Sequence, residues 1–441
     1  MLSNLESIPI LRESSIMMYI SRALEPVVSR YSEFFKVVVV TGPRQVGKTT
    51  MLKHLIEKEQ ELTGVRRSYV SLDDSALRMA AKADPALFLQ RYRPPVLIDE
   101  IQKAPELLPY IKLAVDSDDL NGQFWLTGSQ PLHLMKEVSE SLAGRAGIVE
   151  MLGLSNAEIA GVASEPFSPA PDYYLRRVGL MPKLGVHDAF ERIAASSFPG
   201  IRSLPEDLRA AAYESYIDTY VMRDIRDLSQ VADELKFRRF MTACASLTSK
   251  PVVYAELARL ADVDQKTAKA WLSLLVSSYL VKIVEPYSNN LLKRLNKQPI
   301  MHFTDPGLAA YLCGWDSAST LELGAMSGMV FETYVFDELY KSYCNAGKRP
   351  QLWFFRTNDR KEIDLLLEQN GTLFPIEVKK SASPVAADAK NFSALDGVEA
   401  DDLPPELVAF KREVGTGAII CMADDAFPVS SRAWAMPLWA I

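Results

Sequence analysis

"KVVVVTGPRQVGKTTMLKHL", residues 36–55, decides how the first part of the chain folds. A run of β-branched residues suits a buried strand, and the stretch after it has the period of an amphipathic helix. Between them stands G-x-x-x-x-G-K-T, with Gly42, Gly47, Lys48 and Thr49 in its fixed positions. Glycines there let the loop from Gly42 and Pro43 through Arg44, Gln45 and Val46 to Thr50 curl around phosphate oxygens at a helix N-terminus, every residue but Pro43 offering a backbone N–H. Lys48 would reach the β and γ phosphates, and the Thr49 hydroxyl would ligate Mg²⁺. The expectation is a parallel P-loop sheet that binds ATP with Mg²⁺.

Such a site needs a carboxylate for the magnesium, and "PPVLIDEIQKAP" (94–105) supplies Asp99 and Glu100 at the end of a short apolar strand. Asp99 would hold the metal through water, and Glu100 would polarise the attacking water, the role that separates a hydrolase from a mere nucleotide binder. "GQFWLTGSQP" (122–131) reads as another buried strand, ending in Thr127 and Ser129, two hydroxyls suited to sensing the γ phosphate.

The chain around this site has 441 residues, too many for one core, and its composition is that of an ordinary globular protein, 48% hydrophobic and 24% charged. A net charge of −7 argues against a surface coated in basic nucleic-acid contacts and makes local asymmetry the thing to look for. Four well-separated cysteines without a CxxC suggest neither a zinc site nor a disulfide framework. With no apolar leader and no membrane-length run, the expected location is the cytoplasm, with no membrane partner. "MMYISR" (17–22) offers a second translation start, and the sixteen residues before it read as dispensable.

Beyond a connector rich in proline and serine (161–174), "PEDLRAAAYESYIDTYVMRDIRDLS" (205–229) is helical in period, as a lid over a nucleotide would be. Its Arg223 is either a sensor of the nucleotide or a surface partner of Asp. Residues 232–300 then hold 11 Lys and Arg against 6 Asp and Glu, a local excess of five in an acidic chain. Helix, turn, helix and hairpin follow there in winged-helix order. In the second helix Ala268, Trp271, Leu272 and Leu275 should face the core, with Asp264 as N-cap. Lys266 and Lys269 would face out, and with Lys293, Arg294 and Lys297 on the wing they would form a basic surface for duplex phosphates.

Near the end, "GMVFETYVFDELYKSY" (328–343) is an amphipathic helix carrying Glu332, followed by three strands in meander order within residues 352–381. "IDLLLEQNGTLFPIEVKKS" (363–381) puts Asp364, Glu377 and Lys379 inside strand-forming runs, where unpaired charge is costly. Residues at i and i+2 of a strand share a face, so Glu377 and Lys379 would enter one cleft. Asp364 on the adjacent strand would complete a carboxylate cage for one or two Mg²⁺, with Lys379 positioning water or neutralising charge. This order resembles the restriction-endonuclease-like PD-(D/E)xK core, whose signature is an acid on the helix, an Asp on the second strand and E-x-K on the third; the resemblance implies that Glu332 joins Asp364 and Glu377 as a metal ligand beside Lys379. The segment 382–416 lacks the second set of helical polar residues that several nucleases of that class use.

As a whole, residues 18–381 resemble the prokaryotic AAA-plus-like P-loop ATPases with a C-terminal domain of unknown function. "TGPRQVGKTT", "VLIDEIQKAPELLPYIKLAVD", "FWLTGSQ", "SLAGRAGIVEMLGLSNAEI", "HFTDPGLAAYLCG" and "GMVFETYVFDEL" carry the resemblance. It implies that Arg145 of "LAGR" is an arginine finger, acting in cis or from a neighbouring subunit of a homo-oligomer. The expected architecture is α/β and multidomain. It comprises an N-terminal segment (1–35), a P-loop ATPase core (36–158), a helical lid (159–234), a winged helix-turn-helix (235–316) and a restriction-endonuclease-like domain (320–441). The expected function is ATP hydrolysis coupled to DNA binding or Mg²⁺-dependent DNA cleavage. The alternatives are a non-cleaving ATP switch or scaffold binding DNA or a protein partner, and an ATPase that remodels proteins.

Overall fold

The computed structural model describes residues 19–129, 140–222, 233–287, 298–357, 361–396 and 412–441. Met17, Arg223, Lys293, Arg294 and Lys297 lie outside these residues.

The first unit runs α1 (Glu25–Phe34), β1 (Val37–Thr41), α2 (Lys48–Thr63), β2 (Ser68–Ser71), α3 (Ser75–Ala83), α4 (Pro85–Arg91), β3 (Val96–Asp99), α5 (Leu107–Asp116), β4 (Phe124–Gly128) and β5 (Ala146–Glu150). All five strands are parallel, in the order β2-β3-β4-β1-β5. Both faces are covered: Val38, Val40 and Trp125 pack with Leu52 and Leu55 of α2 on one side. On the other, Val37, Val39, Phe124 and Leu126 pack with Leu107 and Ile111 of α5. Valine therefore suits every position of β1, and an alternating pattern would not. Parallel strands open their C-terminal ends on one edge, so the loops after β1, β3 and β4 converge there.

Next come α6 (Asn156–Ala160), α7 (Pro171–Leu180), α8 (Val186–Ala194), α9 (Pro199–Arg202) and α10 (Glu206–Tyr216), the last running into a π-helical turn, Ile217–Val221. Ser155 and Glu158 form a capping box at the start of α6. The apolar faces of these helices serve two cores. Phe167, Tyr173, Tyr174, Phe190 and Ile193 are buried in the core of the C-terminal sheet. Phe198, Ile201, Tyr213 and Tyr216 are buried with the α2 side of the P-loop sheet.

The basic stretch forms α11 (Glu234–Ser246), β6 (Lys250–Pro251), α12 (Tyr254–Ala261), α13 (Gln265–Ser277), β7 (Val281–Val284) and β8 (Ile300–Phe303), with an antiparallel sheet ordered β6-β8-β7. Asp264 accepts the Thr267 amide at the start of α13. Ala268, Trp271, Leu272 and Leu275 are buried, Trp271 lying edge-on to Phe237 and Phe240. Lys266 and Lys269 are exposed on the opposite face.

The last unit contains α14 (Pro306–Leu312), α15 (Ala318–Leu323), α16 (Ser327–Cys344), β9 (Gln351–Arg356), β10 (Glu362–Gln369), β11 (Thr372–Val378), β12 (Glu413–Val414), β13 (Gly417–Cys421), β14 (Phe427–Ser430) and β15 (Ala433–Pro437). β9, β10 and β11 form an antiparallel meander, and β13 and β15 extend it in parallel, in the order β14-β15-β13-β11-β10-β9. Asn370 and Gly371, at φ 51° and 82°, make the tight β10–β11 turn that Asn-Gly favours. The tail, unread in the sequence, thus completes the sheet. Among the described residues no helix is long and apolar enough to cross a membrane.

His302 of β8 is fully enclosed, stacked on Phe336 with ring centroids 4.3 Å apart, and burial pushes its pKa down to about 3. The unfolded chain protonates this imidazole below its ordinary value of about 6.5 and the folded chain does not, so acid favours unfolding. This contribution is complete above pH 6.5 and is lost as pH falls toward 3. Urea titrations should show wild type losing about 2 kcal/mol more than His302→Gln between pH 7 and 5. Parallel losses would contradict the assignment.

Candidate nucleotide site and C-terminal cleft

The turn after β1 is held open by backbone geometry. Gly42 has φ +143°, and a Cβ there would sit 1.9 Å from the Met151 carbonyl oxygen. Gly47, at φ +91°, starts α2. Any side chain at Gly42 would push the turn away from the segment after β5. Lys48, 6% exposed, donates to the carbonyls of Gly42 and Pro43 at 2.9 and 2.7 Å, closing the loop on itself.

The acid pair at the end of β3 meets this loop. The Thr49 hydroxyl donates to Asp99 Oδ1 at 2.8 Å, the Thr127 hydroxyl also donates to Oδ1, and Tyr69 donates to Oδ2 at 3.3 Å. A hydroxyl and a carboxylate side by side at a phosphate loop are the donor set that Mg²⁺ bound to a nucleotide takes, so these residues fit the ion. Glu100 occupies the left-handed region at φ 58°, a conformation that costs a non-glycine residue about 1–2 kcal/mol. Its amide donates to the Thr127 hydroxyl at 3.0 Å, and its carboxylate accepts from Ser129 at 3.2 Å and from Gln102. The strain turns Glu100 out of line with β3 toward Ser129, beside the loop rather than into the sheet.

Arg145 lies elsewhere. It immediately precedes β5, and its carbonyl accepts the amide of Val37, the first residue of β1, whereas the phosphate loop follows the last. It is therefore at the opposite edge of the sheet, about 16 Å of strand away. There it pairs with Asp116, both side chains partly exposed. A role in cis is excluded by the direction of the strands.

Sequence reading missed the groups that tie the loop to the rest of the molecule. Arg22, 4% exposed, donates to Glu158 at 2.9 Å, to the Val46 carbonyl within the loop at 2.7 Å and to the Leu152 carbonyl at 2.8 Å. Glu150, at the end of β5 beside Thr41, forms a buried ion pair with Lys282 of β7. The Lys282 amine also lies over the ring of Tyr340 of α16, 4.9 Å from its centre. Three units thus meet at one lysine just behind the phosphate loop.

In the last unit Glu332, Asp364 and Lys379 line a cavity of about 510 Å³ together with Lys250, Gly328, Val378 and Lys380. Glu377 stands beside it, 6% exposed. Its Oε1 accepts from Lys379 at 2.7 Å, while Oε2 is buried without a hydrogen-bond partner. Burial, and then the charge of Asp364, raise both Glu332 and Glu377 above the usual carboxylate range. Asp364 is raised by burial too, against the Val378 amide that donates to its Oδ2 at 2.8 Å. Burial alone would lower Lys379; its bond to Glu377 holds it charged. The expected cage of three carboxylates is not formed: among the described residues no group of three or more His, Cys, Asp or Glu side chains is placed to hold an ion. Oxygens of Asp364 and Glu377 are engaged along β11, whereas Glu332 comes from α16. The fit to a divalent ion therefore rests on Asp364 and Glu377, whose clustered charge and orphaned oxygen a cation would relieve.

Residues 34–160 match the AAA domain family AAA_14, so the first unit is a AAA-type ATPase domain. Residues 186–319 match a domain of unknown function (DUF8612), and 327–441 match another (DUF4143). Two uncharacterized proteins, of Mycobacterium bovis and Mycobacterium tuberculosis, are each 29% identical over 401 residues, spanning 91% of this chain and 80% of the relative. Among solved structures, AMPPCP-bound DnaA from Aquifex aeolicus is similar at 16% identity and a TM-score of 0.27, over 57% of this chain and 85% of its own. Cdc6p from Pyrobaculum aerophilum is similar at 12% identity and a TM-score of 0.26, over 67% and 92%.

Proposed function

We propose that the chain is an ATP-regulated DNA-processing enzyme. Its AAA-type unit hydrolyses ATP, the basic α11–β8 unit is a winged helix that grips DNA, and the last unit is a restriction-endonuclease-like site for Mg²⁺-dependent phosphodiester cleavage. The observation that carries this reading is the convergence of Glu332, Asp364 and Lys379 on one cavity, with Glu377 at its wall.

At the first site, the loop amides from Gly42 to Thr50 and the Lys48 ammonium would hold the phosphates once Lys48 exchanges the Gly42 and Pro43 carbonyls for them. Mg²⁺ bound by Thr49 and Asp99 would neutralise phosphate charge. Glu100 takes a proton from the attacking water, and Thr127 and Ser129 hold the acid pair in place. Arg145 serves the nucleotide of a neighbouring copy, which makes the active form a homo-oligomer. At the second site Asp364 and Glu377 would hold Mg²⁺, which would activate water, and Lys379 would orient that water. DNA would lie along Lys266 and Lys269, with Lys293, Arg294 and Lys297 contributing phosphate contacts.

Nucleotide state reaches the DNA-binding unit through Glu150 and Lys282. Lys282→Ala would leave Glu150 buried without its counter-charge, at a cost of about 2–4 kcal/mol. The expected result is a lower urea midpoint and ATP turnover that no longer responds to DNA; a normal response would make this junction passive.

A second reading, a nucleotide switch that binds DNA or a protein and cuts nothing, is favoured by the lack of a three-carboxylate group among the described residues. ATP turnover measured with and without linear, nicked and branched DNA tests the leading reading. Stimulation by one form supports it. No response to any DNA, with stimulation by a polypeptide instead, sinks it.

A further inference from the structure

The cavity around Glu332 and Asp364 is not built by the last unit alone. One lining residue, Lys250, comes from β6 of the α11–β8 unit, more than seventy positions before Glu332 in the sequence. Two other lysines reach the same cavity, and both are engaged inside the protein. Lys379 is bonded to Glu377 at 2.7 Å. The Lys380 amine donates to the Glu322 carbonyl at 2.9 Å and to the Ser327 hydroxyl at 3.1 Å. Lys250 is exposed, and although its positive charge favours the ionised forms of Glu332 and Asp364, its amine is in no hydrogen bond or ion pair among the described residues. Gly328, one turn of α16 before Glu332, also lines the cavity, and a Cβ there would meet nothing within 4 Å.

A cleft lined by carboxylates repels a phosphate unless cations offset them, and the lysine whose ammonium is held by no hydrogen bond is the one delivered by another unit. We propose that Lys250 binds the phosphodiester backbone of a nucleic acid entering this cleft, so that the site is complete only when the α11–β8 unit is docked against α16. The proposal rests on the nuclease-like reading of the cleft and adds to it a phosphate contact that the four signature residues do not supply. It also gives nucleotide state a direct route to the second site, because the unit that carries Lys250 also carries Lys282.

The test uses the intact chain and a fluorescent DNA oligonucleotide in EDTA, where binding is separated from cutting. Lys250→Ala should weaken affinity about fivefold and reduce the slope of log K against log salt by about one, and Lys250→Arg should restore both. Gly328→Leu, which adds a side chain to the cavity lining beside Glu332, should weaken binding as well. Unchanged affinity in Lys250→Ala, or weaker binding with an unchanged salt slope, overturns the inference, as does a wild type that does not bind the oligonucleotide. Cleavage with Mg²⁺, compared with Asp364→Asn, is read separately. Cutting that is normal in Lys250→Ala with unchanged binding removes Lys250 and keeps the nuclease. A wild type that binds through Lys250 and cuts nothing removes the nuclease and keeps the phosphate contact.

Discussion

Glu100→Gln should bind ATP as the wild type does and turn it over about a hundred- to ten-thousandfold more slowly, the range that a general base contributes. The side chain is held by Ser129 and Gln102, both able to bond a neutral amide, so the substitution removes the base while keeping its shape. The left-handed backbone at Glu100 is equally open to glutamine, and the Thr127 hydroxyl still receives its amide. Affinity depends on Lys48 and the loop amides, which the change does not touch. Steady-state phosphate release and equilibrium binding of a fluorescent nucleotide separate the two effects. Wild-type turnover would remove Glu100 from the chemistry, and lost binding would make it a structural residue of the loop.

Lys341→Met should cost about 3–5 kcal/mol of unfolding free energy, because removing one partner of a buried ionic cluster strands the others. The Lys341 ammonium is 1% exposed. It donates to Glu338 Oε1 at 3.1 Å and to the Leu154 carbonyl at 3.0 Å, and lies 2.6 Å from Asp337 Oδ2 as an ion pair. Glu338 Oε2 in turn accepts the Asn156 amide at 2.8 Å. The cluster thus pins the segment leaving β5 to α16 and sets the ATPase unit against the last one. Burial opposes its charge, but Asp337 and Glu338 together hold it. In urea unfolding, adding Asp337→Asn to Lys341→Met should recover part of the loss, because the second change removes a charge left without its partner. A loss below 1 kcal/mol would mean that water reaches the cluster and screens it.

The phosphate site was legible because its requirements are local. A turn that must present N–H groups within a few ångströms of phosphate needs Gly42 and Gly47 at fixed spacing, and a strand covered on both faces needs an unbroken run like Val37–Val40. The period of α13 and the Asn370–Gly371 turn were readable for the same reason. Arg22, Lys282 and Lys250 were not, since each acts on residues far away in the sequence and no periodicity records that. The carboxylate cage was read from strand alternation, which fixes the face a side chain leaves from but not which hydrogen bonds it then makes. The placement of Arg145 was within reach: "GIVE" starts a strand directly after it, and in a parallel sheet the start of a strand lies opposite the phosphate loop. Residues 159–234 read as one lid because the helical period of 205–229 marks a buried face without naming the core that buries it.

The measurement that bears most directly on the central claim is cleavage of plasmid, linear and branched DNA by the intact chain with ATP and Mg²⁺, beside Asp364→Asn. The account predicts cutting that needs Mg²⁺, responds to nucleotide and disappears in Asp364→Asn while DNA binding persists. No cutting of any of the three DNAs by a wild type that binds them as well as Asp364→Asn does would contradict it.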